Sequence, residues 1–239
     1  NWPMPTEHLQ TLAPVADTIG VVDFETTGMG PAQGARATEI AVVLVQGGRI
    51  VGRYQNLMKT GVWVPAFITQ LTGITNTMLR SAPPAEAVMR EVAEFTRGVP
   101  LVAHNAAFDR GFWQAEMAQA GLVADAAHEF ACTVLLSRRL YPEAPSHKLS
   151  PLTQWLGLQR DGRAHRAMSD ADVTAQLLLR MQRDVADQFG SWLQGCEVDH
   201  GLLAHLQRAP RGQLQKFLQR YAERAVRQRA QVLQTPLVE

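Results

Sequence analysis

The sequence predicts an α/β layered domain with a mixed sheet, followed by a helical basic extension. Three observations predict it. Short β-branched runs alternate with amphipathic helical segments over most of the chain, the pattern of stacked strand and helix layers. The stretch EIAVVLVQGGRIVGRYQNLM, Glu39 to Met58, reads as two strands around Gly47-Gly48, so one pair is antiparallel and the sheet is mixed. Beyond about Ala186 the strand signals stop, and Gln and Arg accumulate on helical patterning.

Residues 1–17 contain three prolines and read as an irregular arm. TIGVVDF, Thr18 to Phe24, is a β-branched run of strand length, and the Gly47-Gly48 hairpin supplies the next two strands. PPAEAVMREVAEFTRG has prolines at its start, Val88, Val92 and Phe95 at helical spacing, and Gly98 at its end. VPLVAH is a further short strand. AAFDRGFWQAEMAQAG is a helix closed by Gly121, and a short apolar stretch at Phe130 to Cys132 follows. TVLLSRRLY, LSPLTQWLG and the long SDADVTAQLLLRMQRDVA complete the helices of the body. The organisation expected is an arm over 1–17, a domain over 18–185 and a basic helical extension over 186–239.

The 239 residues suffice for one large domain plus an appendage, and a hydrophobic fraction of 46% is that of an ordinary globular protein. The net charge of +1 points neither to nucleic acid nor to membrane. Its distribution says more. From His200 onward there are seven Lys/Arg against two Asp/Glu, so the preceding residues carry a net −4. Cys132 and Cys196 form neither a disulfide framework nor a zinc pattern. No apolar run approaches the ~20 residues that span a bilayer, and NWPMPTEHLQ lacks the signature of a signal peptide. The expectation is a cytoplasmic protein with reduced thiols and no membrane partner.

The chemistry lies in acids placed where apolar residues are expected. In VVDFETTG, Asp23 and Glu25 alternate with Phe24, so both acids point to one side of a strand a few ångströms apart. Two such charges repel unless a cation lies between them; the plain alternative is an exposed edge strand. Thr26, Thr27 and Gly28 follow as a turn at a strand's C-terminal end, where α/β folds bind ligands. Asp109 shares a helical face with Phe112 and Trp113; the alternatives are a salt bridge to a buried arginine or an outward direction beside Arg110. Asp170 shares a stripe with Val173, Leu177 and Leu178, while Asp172 turns away. Ser169 and Asp172 fit a capping box, a reading that explains Asp172 better than Asp170. His165 lies in a loop between Arg163 and Arg166, as a catalyst or a bystander. Four carboxylates from three elements suit Mg²⁺ or Mn²⁺ rather than zinc. Their number exceeds what one Mg²⁺ usually takes, so two ions, roughly 3.5–4 Å apart as in phosphate-clamping sites, are expected. A histidine of reference pKa about 6.5 suits proton transfer near neutral pH.

DFETTG, HNAAFD and HRAMSDAD, in that order and spacing, resemble the DEDDh (DnaQ-like) 3′–5′ exonucleases, the group that holds the proofreading subunit of bacterial DNA polymerase III. The resemblance covers roughly residues 18–185, and the four-residue gap between His165 and Asp170 marks the histidine subclass. It implies a ribonuclease-H-like fold with a five-stranded mixed sheet and two Mg²⁺ or Mn²⁺. It places Asp23, Glu25, Asp109 and Asp170 as metal ligands and His165 as general base. It further implies contact of Thr26, Thr27 and Gly28 with the 3′-terminal nucleotide. Leu71 and Thr72, in LTGIT, would lie against the terminal bases, with Thr72 replacing the histidine of an H-G-I segment. Asn105 and Phe108 fall near the substrate backbone, with a helix cap as the alternative for Asn105. Phe67, Leu71 and Ile74 are further apolar contacts for end bases, with plain core as the reading for Ile74. The expected activity is removal of nucleoside 5′-monophosphates from single-stranded or frayed DNA 3′ ends. The rivals are RNA 3′-end trimming and a silent nucleic-acid or polymerase-docking module.

In the extension, Arg220, Arg224 and Arg227 share one face, and Leu214, Phe217, Leu218, Tyr221 and Ala225 another. The arginines would track phosphates or form a solvated helix face around a small hydrophobic contact. The apolar stripe would make an internal contact or meet a partner such as a polymerase. The last nine residues, QVLQTPLVE, loosely resemble a clamp ligand.

Overall fold

A computed structural model describes residues 17–234. Apart from Asp17, the expected N-terminal arm lies outside the described residues, as do the last five residues of the clamp-like end.

Five strands form one sheet: β1 (Ile19–Thr26), β2 (Ala37–Gln46), β3 (Arg49–Leu57), β4 (Leu101–Ala103) and β5 (Phe130–Cys132). Their spatial order is β3-β2-β1-β4-β5. The β3-β2-β1 pairs are antiparallel and the β1-β4-β5 pairs parallel, as the hairpin and the strand–helix–strand spacing require. Gly47 and Gly48 carry φ of 56° and 78°, the left-handed region that only glycine adopts freely in such a turn. The helices are α1 (Ala66–Thr72), α2 (Asn76–Arg80), α3 (Ala85–Phe95), α4 (Ala106–Gln119), α5 (Thr133–Leu140), α6 (Leu149–Trp155), α7 (Ala167–Phe189), α8 (His200–Leu206) and α9 (Leu214–Gln234). The short α1, α2 and α8 carry no periodicity long enough to read from sequence.

Two cores flank the sheet, because alternate strand residues face opposite layers. Ile19 and Val21 of β1 join Val43 and Val45 of β2 beneath α7, through Leu177, Leu178 and Met181. Val22 and Phe24 join Ile40 and Val42 beneath α3 and α4, through Val88, Val92 and Phe112. This alternation puts Asp23 and Glu25 on the α7 side.

The long helix begins at Ala167, with Arg166 at the capping position and no side-chain cap bond. The capping box is therefore not formed. Ser169 Oγ donates to the Asp161 carbonyl at 2.8 Å, and Asp172 pairs with Arg53 at 2.6 Å. The start lies earlier because Glu39 binds the Ala167 N–H at 3.0 Å and so takes over the capping role.

The extension is packed onto the body. Leu202, Leu203, Leu206, Leu218 and Ala222 belong to the core beneath α7. Gln207 Oε1 accepts from the Cys132 N–H at 2.7 Å, which covers the outer edge of β5. The stripe of Leu214, Phe217, Leu218, Tyr221 and Ala225 packs against this core, so it makes an internal contact. Arg220, Arg224 and Arg227 are exposed. No helix among the described residues is long and apolar enough to cross a membrane.

Candidate active site

The site lies where β1 runs out of partners. Its neighbour β4 is only three residues long and pairs through Gly20–Leu101 and Val21–Val102, so the later part of β1 has an open flank. Asp109 fills that flank from α4: its Oδ1 accepts from the Phe24 N–H at 3.1 Å. A carboxylate on an apolar stripe thus replaces the missing strand. Phe24 itself points the other way, toward Phe112 with ring centroids 6.3 Å apart. A register shift between Glu25 and Thr26 ends the ladder directly after the acid pair.

Asp170 reaches the same spot from the first turn of α7. Ligand-capable atoms of Glu25, Asp170 and His165 all lie within 4.8 Å of one another. Asp23 and Asp109 complete the cluster electrostatically. Burial, followed by the charges of Asp109, Asp170, Glu25 and Glu39, pushes the Asp23 carboxyl well above its ordinary range. Burial, then Asp170, Glu39 and Asp109, pushes Glu25 up to about 8. Burial lifts Asp109 to about 8, against the Phe24 N–H, with Asp170 adding to the rise. Four acids from three elements therefore sense one another. Carboxylates forced toward protonation by burial and mutual repulsion are oxygen donors short of positive charge, a set that fits a hard divalent cation.

His165 is exposed in the loop before α7, with φ of 61°. That left-handed conformation is uncommon for a non-glycine residue and has to be held. Three contacts hold it. The His165 N–H donates to Asp170 Oδ2 at 3.1 Å. On one side Arg163 Nη2 donates to the Gln70 and Leu71 carbonyls at 2.8 and 3.2 Å. On the other, Arg166 makes a bidentate pair with Glu39 at 3.0 and 2.7 Å.

Glu39 escaped the sequence reading. It sits on β2 directly across from Glu25 and is 1% exposed. It also accepts from Gln55 Nε2 at 2.8 Å. Burial alone would raise its pKa; the Arg166, Ala167 and Gln55 hydrogen bonds prevail and hold the carboxyl below its usual range. The signal was present, since a lone glutamate interrupts an otherwise apolar strand and charge is rarely fully buried unless paired. Its partner lies 127 residues away, beyond the reach of any local pattern. Arg160 was missed as well: its Nη1 meets Oδ1 of Asp170 and its Nη2 donates to Ser150 Oγ at 3.2 Å.

The turn after the acids is closed on itself. Thr26 Oγ1 donates to the Gly28 carbonyl at 2.7 Å, and Thr27 Oγ1 accepts from the Arg36 N–H at 3.0 Å. Glu116, 1% exposed, braces this turn through a bidentate pair with Arg36 and a bond from the Ala37 N–H. A Cβ on Gly28 would come within 3.3 Å of Ala35. Thr72 is buried, with its hydroxyl donating to the Ile68 carbonyl and accepting from the Ile74 N–H. Ile74 is core, whereas Phe67 and Leu71 are 65% and 45% exposed. Asn105 holds the first position before α4 with φ of 69° and no side-chain cap bond; Phe108 is half-buried one turn later.

A protein-family model described as exonuclease matches residues 21–178, which include all four acids and His165. A 3′–5′ exonuclease DinG of Bacillus subtilis is 40% identical over 161 residues, 67% of this chain and 17% of that protein. A PolC-type DNA polymerase III of the same species is 36% identical over 172 residues, 72% of this chain and 12% of that protein. The chain thus spans less than a fifth of the length of these relatives. Exonuclease X, solved with 5′-overhanging duplex DNA, superposes with a TM-score of 0.55 at 27% identity, covering 69% of this chain and 91% of that one. The nuclease domain of 3′hExo, described as a DEDDh family member, superposes at 0.61 and 22% identity, over 70% and 92%, which bears on the fold. With the five-stranded mixed sheet in place and the motif residues converging on one end of it, the chain belongs to the DnaQ-like (DEDDh) exonuclease family.

Proposed function

We propose that the chain is a divalent-cation-dependent 3′–5′ exonuclease that releases nucleoside 5′-monophosphates from single-stranded or frayed DNA 3′ ends. One observation carries the reading: Asp23, Glu25 and Asp109 meet Asp170 at the open flank of β1, and the first three are desolvated with too little positive charge around them. A phosphodiester is itself anionic, so such a site can accept one only after cations have bound.

Asp23, Glu25, Asp109 and Asp170 would hold two Mg²⁺ or Mn²⁺. When bound, these ions supply charge neutralisation at phosphorus and acidify water. The rest falls to the chain. His165 stands exposed beside the cluster, where it takes a proton from the attacking water. Water attacks phosphorus in line, the bond to the 3′-oxygen breaks with its electron pair on that oxygen, and solvent protonates it, so the shortened strand keeps a 3′-hydroxyl. The turn of Thr26, Thr27 and Gly28, braced by Glu116, orients the terminal nucleotide. Leu71 lies against its base, and Asn105 and Phe108 line the approach.

DNA is favoured over RNA because relatives include PolC-type DNA polymerases. The same relatives support a polymerase as partner. The test uses 3′-labelled single-stranded DNA, mismatched duplex DNA and RNA, each with Mg²⁺ or Mn²⁺. Fastest release of mononucleotides from DNA is expected, and Asp23→Ala should abolish it while the melting transition persists. Full activity of Asp23→Ala would defeat the assignment. Fastest release from RNA would select the trimming alternative, and an inert wild-type chain the docking one.

A further inference from the structure

We infer that the loop before α1 forms a second nucleic-acid subsite, which takes a base on Trp63 and phosphates on Lys59 and Arg80, a few nucleotides upstream of the cut end. The inference rests on the exonuclease reading for the identity of the strand.

A pocket of about 190 Å³ opens between this loop and α2, with Lys59, Trp63, Leu79 and Arg80 among its walls. Trp63 is 72% exposed. Tryptophan is enriched among the few side chains that carry most of the energy of an interface. Trp63 is not loose. Val64 N–H donates to Asn76 Oδ1 at 2.8 Å, and Asn76 Nδ2 returns a bond to the Val64 carbonyl at 3.0 Å. Lys59 is held on both backbone sides, by Pro83 and Ala85 at 2.9 and 3.0 Å. The ring is thus presented on a fixed support, which lowers the ordering entropy of binding.

The chemistry selects the occupant. No carboxylate lines the pocket, although the chain before His200 carries a net −4. Lys59 and Arg80 are both exposed. A flat aromatic face beside two cations fits a base and its flanking phosphates, the mode of sequence-tolerant single-strand binding.

The position fits a strand whose end is at the acids. Leu57 pairs with Glu39, which pairs with Glu25, so Lys59 begins two residues beyond the same end of the sheet. Two strand spacings of about 4.8 Å separate these rows. From there α1 leads back: its C-terminal carbonyls bind Arg163 beside His165, and it spans about 10 Å. Phe67 and Leu71, at i and i+4, leave one face of α1 apolar and exposed between the two places.

The experiment compares dissociation constants of 5′-fluorescein-labelled dT3 and dT12 by anisotropy, with Ca²⁺ in place of Mg²⁺ or Mn²⁺ so that the acids are neutralised while cutting is suppressed. In the wild type dT12 should bind far more tightly than dT3. Trp63→Ala should weaken dT12 about tenfold and shrink the dT3-to-dT12 ratio, and Trp63→Phe should restore most of it. Lys59→Ala/Arg80→Ala should reduce the log–log salt slope for dT12 by about 1.4, the share of two phosphates on a single strand. The same ratio in the wild type and all variants would overturn the subsite, as would equal weakening of dT3 and dT12. Failure of the exonuclease reading shows separately, as no mononucleotide released by the wild type in Mg²⁺ or Mn²⁺.

Discussion

Replacing Glu25 by Gln should make the cation-free protein more stable at neutral pH. Gln keeps the shape of the side chain and removes the charge that burial and Asp170 oppose. The Glu25 carboxyl titrates near 8 in the fold against an ordinary 4.5. A folded-state pKa above the unfolded one means that the folded state binds the extra proton. Stability is therefore complete below about pH 4.5 and is lost as pH rises through about 8. At pH 7 the unfolded chain has released its proton and the fold has not, over some two and a half pH units. At about 1.4 kcal/mol per unit this is a ceiling of about 3.5 kcal/mol. Asp23 and Asp109 are shifted the same way and share the repulsion, so the three contributions do not add. Urea unfolding in chelator from pH 4 to 8 measures the effect. The wild type should lose stability steadily above pH 5. Glu25→Gln should match it near pH 4 and exceed it by about 2–3 kcal/mol at pH 7. Mn²⁺ should restore the wild type far more than the variant. A flat wild-type profile in chelator, or a variant weaker than the wild type at pH 7, would refute the account of the cluster as charge-starved.

Three further outcomes follow from the geometry. His165→Ala should slow mononucleotide release by about 10²–10⁴-fold while Mn²⁺ still raises the melting temperature; an unchanged pH–rate profile would remove the base role. Glu39→Ala leaves Arg166 and the Ala167 N–H without their partner, and since Arg166 is one-third exposed the loss should be about 2–3 kcal/mol, below the range for a fully buried pair. Glu39→Gln, which keeps an acceptor, should recover part of the stability and of the rate, and equal behaviour of the two variants would show that the pair does not hold the His165 loop. Arg160→Ala removes the cation that competes for Asp170, so the protein should half-saturate at lower Mn²⁺ in a thermal-shift titration, and an unmoved midpoint would count against that competition.

Local pattern determined much of this protein. β-branched runs became β1 and β2 because alternation on a two-sided sheet is a nearest-neighbour property. Gly47-Gly48 set the hairpin because few other residues accept two successive positive φ angles. Asp23, Glu25, Asp109 and Asp170 were legible because each interrupts an apolar face, and their common order and spacing pointed to the family. Tertiary structure alone decided the rest. Glu39 gained its role from register with Glu25, from an arginine 127 residues along the chain, and from the Ala167 N–H that it binds at the start of α7, ahead of the capping box. The shortness of β4 opened the flank that Asp109 closes. The apolar stripe of α9 was as visible as any other, but a stripe does not name what covers it, and only packing showed that the protein's own α8 side of the core does. Periodicity records which faces are buried; long-range register records against what.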